Sequence, residues 1–180
     1  MPPVANLRAQ DEKEGGDVVR PFDIRLYLPS ALAATTPCDP HLAECEWSLR
    51  EAQALDALGE LRQYLLCRSH LWYDRAKNVR GQRQGTRSWS ALDTLKQRID
   101  TAAARYRAAC EALSILSKRL EKGEAWMRVY KVLQDGDIKG LTVKENEGTE
   151  GTLITTWIWK VAGLSTENSD ELQEGAYPLY

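Results

Sequence analysis

Between positions 41 and 177 the chain has no proline; all seven lie at positions 2 to 40 or at 178. Nothing of that kind therefore interrupts a long helix after the first forty residues. Phenylalanine occurs once, and Leu, Ile, Val and Phe together make 38 of 180 residues, or 21%. So few large apolar side chains argue against a large sheet-based enzyme with a deep core, and sit just above the level at which chains stay disordered. No apolar run approaches the roughly 18 residues needed to cross a bilayer, so no membrane association through a spanning helix is expected. The four cysteines, Cys38, Cys45, Cys67 and Cys110, include no CxxC pair. The first twenty residues lack the apolar core of a signal peptide. Reduced thiols in an intracellular protein follow as the expectation.

What the chain has instead is helix-forming bias. Ala, Glu, Lys, Leu and Arg account for 82 residues, or 46%, close to the composition of coiled coils. Residues 1–22, polar and carrying Gly15-Gly16, read as a disordered leader, and 23–40 as an extended arm and loop in which DIRLYL (23–28) has strand character. Asp39 is placed as an N-cap and Pro40 as the first helical residue. Residues 41–122 then predict a helical hairpin, 123–164 a short helix plus a strand, and 165–180 a disordered acidic tail.

Periodicity supports the hairpin. Leu92, Leu95, Ile99, Ala102, Tyr106, Ala109, Leu113, Leu116 and Leu120 alternate spacings of three and four without a slip, a heptad seam over four repeats. Ser90 with Asp93 suggests a start to this helix, and Gly123 a C′ glycine at its end. The first helix shows Leu58, Leu61, Leu65 and Trp72 on a similar spacing, preceded by a shifted stripe of Leu42, Cys45, Leu49, Ala52 and Leu55. Lys96, Arg98, Arg105 and Arg119 flank the seam, and Glu51 and Glu60 are candidate partners for them. After Gly123, Glu124–Leu133 predicts a short helix, 135–139 a turn and 144–151 a polar loop. LITTWIWKV (153–161) alternates as a strand does, with its neighbour open between 24–28 and the helices. The fold class expected is mainly α: a long antiparallel, coiled-coil-like hairpin with a short helix and a small β element.

Few residues suggest chemistry. Cys38, His41 and Cys45 form C-x2-H-x3-C, but a structural zinc site takes four ligands. Cys67 and His70 lie 22 and 25 residues past Cys45. At ~1.5 Å per residue His70 is roughly 38 Å away along a helix, so neither can complete the site within one chain. Neither a metal nor another cofactor is expected. Cys67 and His70 share a helix face without signs of a pocket, and GQRQG (81–85) lacks the Lys-Ser/Thr of a phosphate loop. The chain is formally −2 overall, yet Asp74–Ser88 holds Arg75, Lys77, Arg80, Arg83 and Arg87 against a single acid. With Trp72, Tyr73 and Trp89 at its edges, this segment, expected as an inter-helix loop over 74–88, is the candidate DNA contact. Its plainer reading is cations gathered at a helix C-terminus and in a solvated turn.

Several stretches occur in a familiar order: LPSAL (28–32), LREAQALDALGELR (49–62), RSHLWYDRAKNVRGQRQGTRSWS (68–90), IDTAAARYRAACEAL (99–113) and TWIWKVAG (156–163). Together they resemble the C-terminal region of transposase-like proteins of the Kyakuja-Dileera-Zisupton (KDZ) group, abundant in basidiomycete fungi. That resemblance implies a mobile-element remnant or fragment without catalysis of its own. The family's acidic metal-dependent core lies upstream of this region, so its catalytic acids map to no position here. It also implies a nuclear setting and, as partners, DNA or the upstream transposase core. The alternative expectation is a protein-interaction module without nucleic-acid binding that self-associates through Leu92–Leu120 or the Leu42–Leu55 face.

Overall fold

A computed structural model describes residues 2–14, 26–78, 82–140, 142–146, 149–154 and 156–161. The protein is mainly helical. Helix α1 spans Pro2–Glu14, α2 Pro40–Asn78 and α3 Gln82–Arg119, and β1 (Thr142–Asn146) pairs antiparallel with β2 (Thr149–Ile154). The long helices α2 and α3 pack against each other. Helix α1 replaces the disordered leader expected at its position. Its prolines occupy the first turn, where a missing N–H costs nothing, and Leu7 to Glu14 are mostly strong helix formers. The expected acidic tail, and residues 15–25 of the leader and arm, lie outside the described residues. Two compact units divide the chain: Met1–Ala52 with Ala108–Lys131, and Gln53–Arg107 with Val132–Tyr180.

In the first unit Asp39 caps α2 as expected, its carboxylate accepting from the His41 backbone N–H at 2.9 Å. Ala43 and Trp47 then turn inward and pack with Leu113 and Leu116, with Leu120, Trp126 and Tyr130 around them. The stripe expected here faces water instead: Leu42 is 43% and Leu49 70% exposed, and Cys45 and Ala52 are exposed too. The physical reason is size. A buried Trp removes far more apolar surface than one Leu, and the 3/4 register running back from Leu61 through Ala57, Ala54 and Arg50 reaches Trp47 and Ala43. Trp126 meets Trp47 edge-on at 5.9 Å, and the Lys122 ammonium lies 5.0 Å from the Trp47 ring centre. Two charged residues tie down the preceding loop. Buried Glu46 accepts from the Ser30 N–H (2.8 Å), the Ser30 hydroxyl (2.5 Å) and Arg50 (3.2 Å). Arg119 donates to the carbonyls of Leu32, Ala33 and Thr36, so it serves this loop rather than an acid on α2. The Tyr27 hydroxyl donates to Asp11 of α1.

Helix α3 does not end on Gly123. The Lys122 N–H reaches back to the Ser117 carbonyl at 3.0 Å, and the left-handed residue that closes this Schellman turn is Glu121, at φ +52°. Gly123, at φ +64°, takes a second left-handed step. A non-glycine side chain in that region costs about 1 kcal/mol. Glu121→Gly is therefore expected to stabilise the protein by about 1 kcal/mol, read as a raised urea midpoint with unchanged slope; a loss of stability would contradict the turn assignment. Beyond it, the helix expected over 124–133 is only a 3₁₀ turn at Ala125–Arg128. Trp126 and Tyr130 still reach the core, while the Leu133 carbonyl is taken by Arg107 in the second unit (3.1 Å) instead of by a helical N–H.

In the second unit Ala54, Ala57, Leu58, Leu61 and Leu65 of α2 are buried, as are Leu92, Leu95, Ile99, Ala102 and Tyr106 of α3. Ala109, Leu113 and Leu116 continue the α3 seam as buried residues in the first unit, and Leu120 there is half-buried. Side-chain pairs fix an antiparallel register in the second unit: Glu60 bonds Arg105, Arg98 lies over Tyr64, and Trp72 meets Trp89. Arg62 sits among the buried leucines, 8% exposed, and donates through Nε to the Ile158 carbonyl (2.5 Å) and through Nη2 to that of Val161 (3.2 Å). That anchor holds the WIW segment, which is a 3₁₀ turn over Trp157–Trp159 and not the expected strand. The alternation of 153–161 is real, but hydrogen bonding goes elsewhere. β2 covers only Thr149–Ile154, and β1 falls where a polar loop was expected. Residues 26–28 of the candidate partner segment 24–28 belong to no strand, and 24–25 lie outside the described residues. Ile158 is fully buried, and the Trp157 ring lies 6.0 Å from that of Tyr106.

Candidate nucleic-acid interface

The basic segment is not the loop that its two glycines suggest. Helix α2 continues through Asn78 and α3 begins at Gln82, so residues 74–78 and 82–88 are helical and Gly85 lies inside α3. Ser90 and Asp93, expected to cap the start of α3, consequently sit within it, and the Ser90 carbonyl accepts from the Thr94 hydroxyl at 2.9 Å. A glycine in a helix costs only about 1 kcal/mol, and the surrounding Gln, Arg and Thr residues carry helix across it.

Where the two helices meet, three side chains form a stack. Trp72 and Trp89 are set edge to face, with centroids 5.7 Å apart at 90°. The Arg75 guanidinium lies 3.7 Å from the Trp89 ring centre and 5.9 Å from that of Trp72. An edge-to-face pair contributes about 0.5–1.5 kcal/mol and a cation on an indole about 0.5–2 kcal/mol. The indoles remain 48% and 52% exposed. Arg75 Nη1 is buried and has no hydrogen-bond partner among the described residues. Arg75 is thus committed to stacking, a role its place in a charge run does not suggest. Tyr73 beside it is 52% exposed.

The other basic candidates are distributed over both helices. Lys77 belongs to the last turn of α2 and Arg83 to the first turn of α3, Arg87 is exposed one turn further along, and Arg80 lies outside the described residues. Bases at the end of α2 complement its dipole. Those at the start of α3 oppose its dipole, and that first turn contains no acid. The positive end of α3 and its arginines therefore add, giving an electropositive end to the hairpin that intramolecular stability alone does not favour.

Elsewhere the candidate chemistry is dispersed. Cys38 is half-buried ahead of α2, whereas Cys45 is exposed with its Sγ 3.7 Å from His41 Nδ1. Cys67 and His70 are both exposed. Among the described residues no three or more His, Cys, Asp and Glu side chains are grouped to hold a metal ion, and no helix is long and apolar enough to cross a membrane. A shallow depression of about 410 Å³ is lined by Glu60, Tyr64, Arg98 and Arg105. Its floor is an ion pair, in which hydrogen bonding to Arg105 holds the Glu60 carboxyl below its ordinary pKa. Burial lowers the pKa of the Arg62 guanidinium and raises that of the Tyr130 phenol. Comparison with protein-family models, with curated proteins and with solved structures finds no match.

Proposed function

We propose that this chain is a non-catalytic helical module that binds nucleic acid at the end of its hairpin where α2 meets α3. The observation that carries this reading is the pair of half-exposed indoles, braced by Arg75, beside the basic first turns of α3. Bases stack on exposed aromatic faces at about 1–3 kcal/mol each. Lys77, Arg80, Arg83 and Arg87, near these residues in the sequence, supply phosphate contacts. The KDZ resemblance gives the reading its setting: the helical C-terminal part of a fungal transposase-like protein, acting in the nucleus and dependent on a core elsewhere for catalysis.

Binding of a short single strand and of a duplex, titrated over salt concentration, tests it. Arg80→Ala with Arg83→Ala is expected to flatten the duplex salt slope by about 2, near 0.9 for each phosphate that is no longer neutralised. Trp89→Ala is expected to weaken single-strand binding about 10-fold with little change in slope. Absence of binding at low salt, or a slope indifferent to the double substitution, removes the proposal.

The second reading, protein interaction without nucleic acid, draws on the exposed Leu42 and Leu49 of α2. Self-association through Leu92–Leu116 is disfavoured, because those residues are already buried within the chain's own fold.

A further inference from the structure

His41 and Cys45 stand one turn apart on the solvent side of α2, both exposed. Their Nδ1 and Sγ atoms are 3.7 Å apart. Two ligands of one tetrahedral zinc, with Zn–S about 2.3 Å and Zn–N about 2.0–2.1 Å, are separated by about 3.6 Å. The two side chains are therefore already at the spacing that a shared zinc would impose. Asp39 fixes this first turn by capping it, bonding the backbone N–H of His41 itself. The other Cys–His pair on α2, Cys67 and His70, has no such contact among the described residues and is spaced by three rather than four.

Two ligands make half of a structural site, and the described part of this chain groups no third one with them. We propose that His41 and Cys45 form a half-site for zinc that a second copy of this chain completes, giving a two-fold His2Cys2 centre between two α2 helices. A two-fold axis through the metal supplies the missing pair with the same chemistry and the same preset spacing, and closes the assembly at two chains. Two thiolates, each formed by loss of the thiol proton to solvent, neutralise the dication, so no net charge is buried. Borderline-soft Zn²⁺ suits this mixed sulfur and imidazole set. The surface around the centre fits the same occupant. Leu42 and Leu49 lie three and four residues either side of Cys45 on its face of the helix, and are exposed at 43% and 70%. Against a second copy they become a self-complementary apolar rim; alone they remain in water. The proposal is independent of nucleic-acid binding at the opposite end of α2.

The test is the solution mass of the whole protein, with reduced thiols, titrated with zinc after chelator treatment. One chain is expected in chelator, and two chains once half an equivalent of zinc per chain has been added. Cobalt in place of zinc is expected to give thiolate-to-metal charge-transfer absorption. Cys45→Ser and His41→Ala each abolish the doubling, and Cys45→Ser also removes the cobalt band, while Cys67→Ser retains both. All three positions are exposed, so the fold is not at stake. A mass of one chain at saturating zinc overturns the proposal, whether or not metal is bound, and so does a doubling that survives Cys45→Ser.

Discussion

Replacing Trp47 by Ala is expected to lower the stability of the protein by about 3–5 kcal/mol, the range for deleting a buried aromatic from a packed core. Trp47 is 5% exposed and packs with Ala43, Leu113 and Leu116. Its truncation also removes the edge-on partner of Trp126 and the ring beneath the Lys122 ammonium. Leu49→Ala, two residues along, is the control: at 70% exposure its removal is expected to stay within about 0.5 kcal/mol. Urea unfolding of both variants decides which stripe of α2 is the core. A larger cost at Leu49 than at Trp47 would reverse the assignment of the helix face.

That pair of residues also marks how far the sequence is legible. The α3 seam is readable because all nine of its positions agree with one 3/4 register, and its first eight are buried. Helix α2 presents two competing stripes, and counting leucines favours the wrong one. Its core face carries Ala43, Glu46 and Ala54, residues that a hydrophobic pattern discounts, and a single Trp outweighs them. The helix ends are misread for a related reason. Gly81 and Gly85 suggest a long loop, but tertiary pairing of Trp72, Arg75 and Trp89 rewards continuing both helices toward their junction. Glu121, not Gly123, takes the left-handed position at the end of α3, because the turn is set by where Leu120 and Trp126 must pack. Of the candidate contact residues, the aromatic edges are visible in the sequence as a composition of Trp and Arg. The stacking role of Arg75 is not, because it depends on a partner fourteen residues away on another helix.

Arginine is the residue type whose roles are least legible in the sequence, and Arg62 offers the sharpest test. A guanidinium 8% exposed in a row of leucines looks like a fault in the helix face. It is instead the donor for two carbonyls of the segment 96 and 99 residues further on. Burial lowers its pKa, yet a guanidinium stays charged at any ordinary pH. Hydrogen bonds from a charged donor contribute about 1.5–3 kcal/mol each. Arg62→Ala also leaves the Ile158 and Val161 carbonyls without those donors, so a total loss of about 3–5 kcal/mol is expected. The loss should be local in its first appearance: amides of 156–161 exchange at nearly the rate of an open chain, while those of Ile99 to Tyr106 keep their protection. Arg62→Lys retains the charge but not the fork that reaches both carbonyls, and is expected to recover about half of the loss. Arg62→Met separates the remaining terms, since it fills the space without charge or donors. If the cost of burying the charge outweighs its two bonds, Met will be neutral or stabilising, as happens for some buried ionic groups. That outcome would show that packing around Ile158, and not the guanidinium, holds the WIW turn. An Arg62→Met variant as destabilised as Arg62→Ala assigns the anchoring to the hydrogen bonds themselves.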